Sequence, residues 1–137
     1  MKYAMLLTAF FASFSCQAAE LTLTIHGDNL GGKTLMIRLF DSKAGFPSGR
    51  NYVRNIKTVA TSDSTTLQIS DVAPGSYALA VFADDNNNGR LDRNLFGIPA
   101  EPYGFSNDAR SLIGPPGFAS AAFELKDGGA VQSIHLH

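Results

Sequence analysis

Residues 84–92 read Asp84-Asp85-Asn86-Asn87-Asn88-Gly89-Arg90-Leu91-Asp92, with side-chain oxygens at the first, third, fifth and ninth positions and glycine at the sixth. Calcium is a hard cation that takes about six to eight oxygens, and one loop supplies them only by curling its backbone around the ion. In that reading Asp84, Asn86 and Asn88 offer alternate side chains, Gly89 permits the sharp turn, Arg90 offers its carbonyl and Asp92 closes the shell. An EF-hand would need flanking helices and a glutamate at the twelfth position, where this chain has Leu95. The competing reading is an Asx-rich turn, because Asn, Asp and Gly dominate turns in any case.

The spacing resembles the β-hairpin calcium loops of integrin-type propellers, in which an acid at the ninth position closes the shell. With only Asp84 and Asp92 as carboxylates, the ligand charge is low and a weak site is expected, with a dissociation constant of about 10⁻⁴ to 10⁻³ M. A second dense segment follows from Gly97 through Glu101, Tyr103 and Phe105 to Asn107. Glu101 could add a ligand to the ion or act as a general acid or base beside Tyr103. The alternative, which we favour, is a loop plug in which Tyr103 and Phe105 cap one end of the fold while Ser106 and Asn107 satisfy backbone groups. No nucleophile–base pair stands near it and no Gly-x-Ser-x-Gly elbow occurs, so no catalytic residue is assigned. His135 and His137 share a strand face, and His26 joins them only if the first and last strands pair; exposed polar positions are the simpler explanation.

The elements that must position these residues are strands. Leu21, Leu23 and Ile25 alternate with polar residues, as do Leu35, Ile37 and Leu39 with Met36, Arg38 and Phe40, which suggests two strands joined as a hairpin. Weaker strands are expected near residues 53–60 and 65–69. Pro74-Gly75 then turns the chain into its most apolar run, Tyr77 through Phe82, the expected sheet centre. Residues 93–117 have no sustained period and many Gly and Pro, and loops of such length are usually functional or ordered by something. Two last strands flank Asp127-Gly128-Gly129, a hairpin turn. The expected fold is all-β, an antiparallel β-sandwich of about seven strands.

Composition narrows the setting. Lys2 precedes an apolar run and small residues ending Ala18-Ala19, the layout of a secretory signal peptide over 1–18, leaving a single β-sandwich domain over 19–137. Cys16, the one cysteine, stands where a lipoprotein signal places its acylated residue, but Phe14 and Ser13 do not suit such a signal, so lipidation is not expected. A periplasmic or secreted domain without disulfides is then held by its core, with a metal as the available supplement. Of the 11 Lys and Arg, Lys2 falls in the leader, leaving 10 scattered basic residues against 12 acidic ones, which argues against nucleic acid as a partner. No stretch approaches the roughly 20 apolar residues of a transmembrane helix.

Taken together, Pro74-Gly75-Ser76-Tyr77, the loop with its continuation to Asn94, Gly97-Ile98-Pro99, Glu101-x-Tyr103-Gly104-Phe105-Ser106-Asn107 and Pro115-Pro116-x-Phe118 resemble a bacterial family of short exported proteins catalogued as a domain of unknown function. The resemblance covers nearly the whole mature chain. It implies a transthyretin-like or immunoglobulin-like sandwich and no reaction. Family members often place a histidine before the first loop aspartate; here that residue is Ala83, which weakens any chemistry proposed at that position and leaves the oxygen ligands untouched. The expected role is a calcium-stabilised binding or accessory module for an unknown protein or small-molecule ligand. The alternatives are an envelope enzyme using Glu101 and Tyr103 and a purely structural envelope domain.

Overall fold

The computed structural model describes residues 9–13 and 18–137. Most of the expected signal peptide, Cys16 included, lies outside the described residues. Eight strands follow in order: β1 (Ala19–His26), β2 (Thr34–Phe40), β3 (Arg54–Val59), β4 (Ser64–Val72), β5 (Gly75–Asp84), β6 (Tyr103–Phe105), β7 (Phe123–Leu125) and β8 (Ala130–His135). The only helical pieces among the described residues are a 3-10 turn at Ser106–Asp108 and one α-turn, Phe118–Ala121. No helix among the described residues is long and apolar enough to cross a membrane.

Two sheets form the sandwich. One has the order β4-β1-β8 and the other β3-β2-β5-β6, with β7 also paired to β5. The expected hairpin of the first two strands does not form: β1 pairs with β4 and β8, while β2 pairs with β3 and β5. Both strands carry one strongly apolar face, and in opposite sheets those faces pack on each other instead of lying side by side. Leu21, Leu23 and Ile25 thus meet Leu35, Ile37, Leu39, Leu79 and Val81 in one core. The last two strands also part, β7 going to β5 and β8 to β1, although Lys126 and Gly129 bridge across the expected turn. The β1–β8 pair is parallel, an exception in an otherwise antiparallel fold.

The central strand explains how a loop becomes a site. In β5 the residues from Tyr77 to Asp84 are all buried, as expected of a strand covered on both faces. Tyr77, Leu79, Val81 and Ala83 point into the inter-sheet core. On the other face Ala78 and Ala80 lie with Phe40 and Phe105 beneath Phe46, Tyr52 and Phe118, which come from the long connections. Those connections therefore form a third layer. At one side the sandwich is stitched shut where Tyr103 and His137 exchange backbone hydrogen bonds of 3.2 and 3.1 Å. Gly104 allows this approach, since a Cβ there would lie 2.7 Å from the His135 carbonyl oxygen.

Candidate functional site

The loop of residues 84–92 leaves the end of β5, and its first residue is anchored in the protein. Asp84 is 1% exposed. Its carboxylate accepts hydrogen bonds from the Asn88 N–H (Oδ1, 3.2 Å) and the Gly89 N–H (Oδ2, 2.7 Å), so the chain must wind back over it. Asn86 Oδ1 accepts from the same Asn88 N–H at 3.2 Å, and Asn88 Oδ1 accepts from the Arg90 N–H at 2.9 Å. Two residues in the left-handed region make the winding possible, Asn87 (φ 57°) and Gly89 (φ 74°).

Asp92 closes the ring. The Asn86 amide donates to its carboxylate at 2.6 Å, and the Asn88 amide donates at 2.8 and 3.0 Å to its two oxygens. The side chains of positions one, three, five and nine are thereby linked through one another and through the Asn88 N–H. Among the described residues no three His, Cys, Asp or Glu side chains gather in a metal-holding group. A cation here would therefore rely on the two carboxylates together with amide and backbone oxygens. That donor set suits a hard cation and not a thiolate- or imidazole-seeking metal.

Glu101 has a distinct place. It is 6% exposed, and its Oε1 accepts from the Asp85 N–H at 2.9 Å while its Oε2 accepts from the Asp92 N–H at 3.0 Å. One carboxylate thus ties the first turn of the loop to its last residue. Contacts from β2 complete the support: the Thr34 hydroxyl donates to Asn87 Oδ1 at 2.6 Å, and Arg38 Nη2 reaches the Gly89 carbonyl at 3.4 Å. Neither is visible in the local sequence, because β2 lies about 50 residues upstream and reaches the loop only through its pairing with β5.

Tyr103 stands apart from Glu101. In β6 it pairs with Phe82 of β5, packs edge-on to Phe105 with ring centroids 5.7 Å apart, and lines a cavity of about 960 Å³ in which Glu101 has no part. One wall of that cavity is the loop of residues 84–92 itself, through Gly89, Arg90 and Leu91. Asn107 lies elsewhere, against β8: it exchanges two hydrogen bonds with Gln132, and its amide donates to the Ala122 carbonyl at 2.8 Å. Its neighbour Ser106 is fully buried, accepting from the Leu79 N–H at 2.9 Å and donating to the Ala121 carbonyl at 2.5 Å.

The first and last strands do pair, and they bring His26 and His135 into a stack with ring centroids 4.7 Å apart. His135 Nδ1 lies 2.8 Å from Asp108 Oδ2, and His137 meets Arg110. Partial burial pushes the Asp108 carboxyl up, but the His135 N–H and the nearby imidazoles outweigh it and hold the group below its ordinary value. The sequence carries no signal for Asp108, because nothing in its spacing connects it to residue 135.

No curated protein and no solved structure matches the chain. A model of the family described as an uncharacterized protein conserved in bacteria (DUF2141) matches residues 24–133, from β1 into β8 with the whole loop inside, and the chain is a member of that bacterial family.

Proposed function

We propose that the protein is an exported binding or accessory module in which a weakly held calcium ion orders the loop of residues 84–92 and, through it, the recognition segment of residues 94–107. The observation that carries this reading is the convergence of Asp84, Asn86, Asn88 and Asp92 in one hydrogen-bonded ring. A carbonyl oxygen has two lone pairs, so the asparagine oxygens that accept backbone N–H groups keep a second site for a cation. The ion replaces the two amide donors as the partner of Asp92, and the Arg90 carbonyl joins the shell. Glu101 serves the same end from outside the shell, by clamping Asp85 to Asp92.

Ordering then passes to the following segment. Ala100 donates to the Asp92 carbonyl at 2.8 Å, and Asn94 and Ile98 are joined by a backbone bond of 2.8 Å, so fixing Asp92 fixes the base of this excursion. The N-terminal residue pattern supports export to the periplasm or beyond, where millimolar-range calcium sites are useful. The test is calcium titration of chelator-stripped protein followed by thermal melting: calcium raises the midpoint in the native protein and leaves the Asp92→Ala variant unmoved. A shift that survives in Asp92→Ala would overturn the ligand set.

A further inference from the structure

We propose that the cavity beside the loop binds a small organic anion carried on an apolar body, with a free single-chain carboxylate amphiphile as its type. This deepens the reading above by naming a ligand class for the recognition surface. The charge of the lining is one-sided. Arg38, Arg50, Arg90 and Arg93 line the cavity and no Asp or Glu does. None of the four forms an ion pair among the described residues, whereas Lys33 on the same end of the molecule pairs with Asp85 at 3.1 Å.

Arg38 is the most telling of them. It projects from β2 onto the loop-covered face of its sheet, with its guanidinium 5.5 Å from the centre of the Tyr52 ring and 5.9 Å from that of Phe82. Its Nε is buried without a hydrogen-bond partner. A buried donor left unmatched is rare in folded proteins, and a ligand acceptor is one way to satisfy it. Arginine also presents a flat fork of donors suited to carboxylate or phosphate oxygens. Aromatic walls fix the plane of that fork before any ligand arrives.

The remainder of the lining suits a tail. Phe96, Ile98 and Leu112 line the same cavity and are 86%, 58% and 104% exposed. Three large apolar side chains held in water around a cationic floor match a molecule with one anionic end and one greasy end. The volume of about 960 Å³ is at the upper end of the range of roughly 300–1,000 Å³ typical of small-molecule sites.

The experiment is titration calorimetry of the full mature chain, below the critical micelle concentration, with laurate, with dodecyltrimethylammonium and with inorganic phosphate, in calcium and again in chelator. Laurate should bind, the cationic amphiphile with the same tail should not, and phosphate alone should bind at least about tenfold more weakly. Arg38→Gln and Arg93→Gln should each weaken laurate by about tenfold or more, while Lys57→Gln, an exposed charge on β3 outside the cavity, should not. Arg93 is exposed, so its variant keeps the test valid if Arg38→Gln does not fold. Equal binding of both amphiphiles, or laurate binding unchanged in Arg93→Gln, would overturn the proposal. Arginine-dependent binding that persists in chelator would support it even if the calcium titration fails, so the two claims fail separately.

Discussion

Replacing Glu101 with glutamine changes no volume and removes one charge, yet it should be among the most costly single changes in the loop region. The carboxylate accepts two backbone N–H groups, from Asp85 at 2.9 Å and Asp92 at 3.0 Å, and it is 6% exposed. Glutamine keeps one acceptor and turns an NH₂ toward the other N–H, so one bond is lost and two donors face each other. A hydrogen bond to a charged group contributes about 1.5–3 kcal/mol, and the remaining bond weakens when its acceptor becomes neutral. The expected loss is about 2–3 kcal/mol, or a fall of roughly 8–12 °C in the melting midpoint for a domain of this size. Urea denaturation measures it, with an unchanged slope confirming that the unfolded state is unaffected. The loss should already be present in chelator, because Glu101 spends both oxygens on the backbone and serves the ion only by holding Asp92. A loss below about 0.5 kcal/mol would refute the clamp, and a loss confined to calcium would make Glu101 a ligand instead.

Two further changes probe the frame around the site. Ser106→Ala strands a buried Leu79 N–H and a buried Ala121 carbonyl at once, and should cost about 2–4 kcal/mol by urea denaturation. Asp108→Asn tests the histidine corner by pH. The folded carboxyl sits below its ordinary value of 3.8, so its contribution is present above that pH and is lost as the pH falls through the lowered folded value. Acid melts of the native protein should therefore steepen below about pH 4, and the variant should lack that part of the slope.

The strands were legible where apolar and polar residues alternate, as in Leu21-Thr22-Leu23-Thr24-Ile25. What alternation conceals is the partner. A strand with one greasy face pairs equally well with a chain neighbour or with a strand in the same layer, and the choice between β2 and β4 for β1 was made by core packing across the whole domain. The continuous run in β5 carried more information, because burial on both faces requires something to cover the outer one. That cover proved to be the long connections, whose Phe46, Tyr52 and Phe118 carry no periodic signal at all.

The loop itself was legible through spacing, since positions one, three, five and nine bring oxygens to one side wherever glycine lets the chain turn. The clamp made by Glu101 is not legible in the same way, because a carboxylate that serves two distant backbone N–H groups looks in sequence like any other acid. In the sequence Arg38 is simply the polar member of an alternating strand. Only the three-dimensional path of the 41–53 and 85–102 connections places Arg50, Arg90 and Arg93 near it without a carboxylate among them.

In the proposed reading the loop holds a calcium ion in the folded state. A ligand that binds only the folded protein stabilises it by RT ln(1 + [L]/Kd), so 10 mM calcium at a dissociation constant of 10⁻⁴ to 10⁻³ M corresponds to about 1.4–2.7 kcal/mol. For chelator-stripped protein this is a rise of about 5–10 °C in the melting midpoint on adding calcium, absent in Asp92→Ala. An unchanged midpoint at 10 mM calcium would contradict the claim.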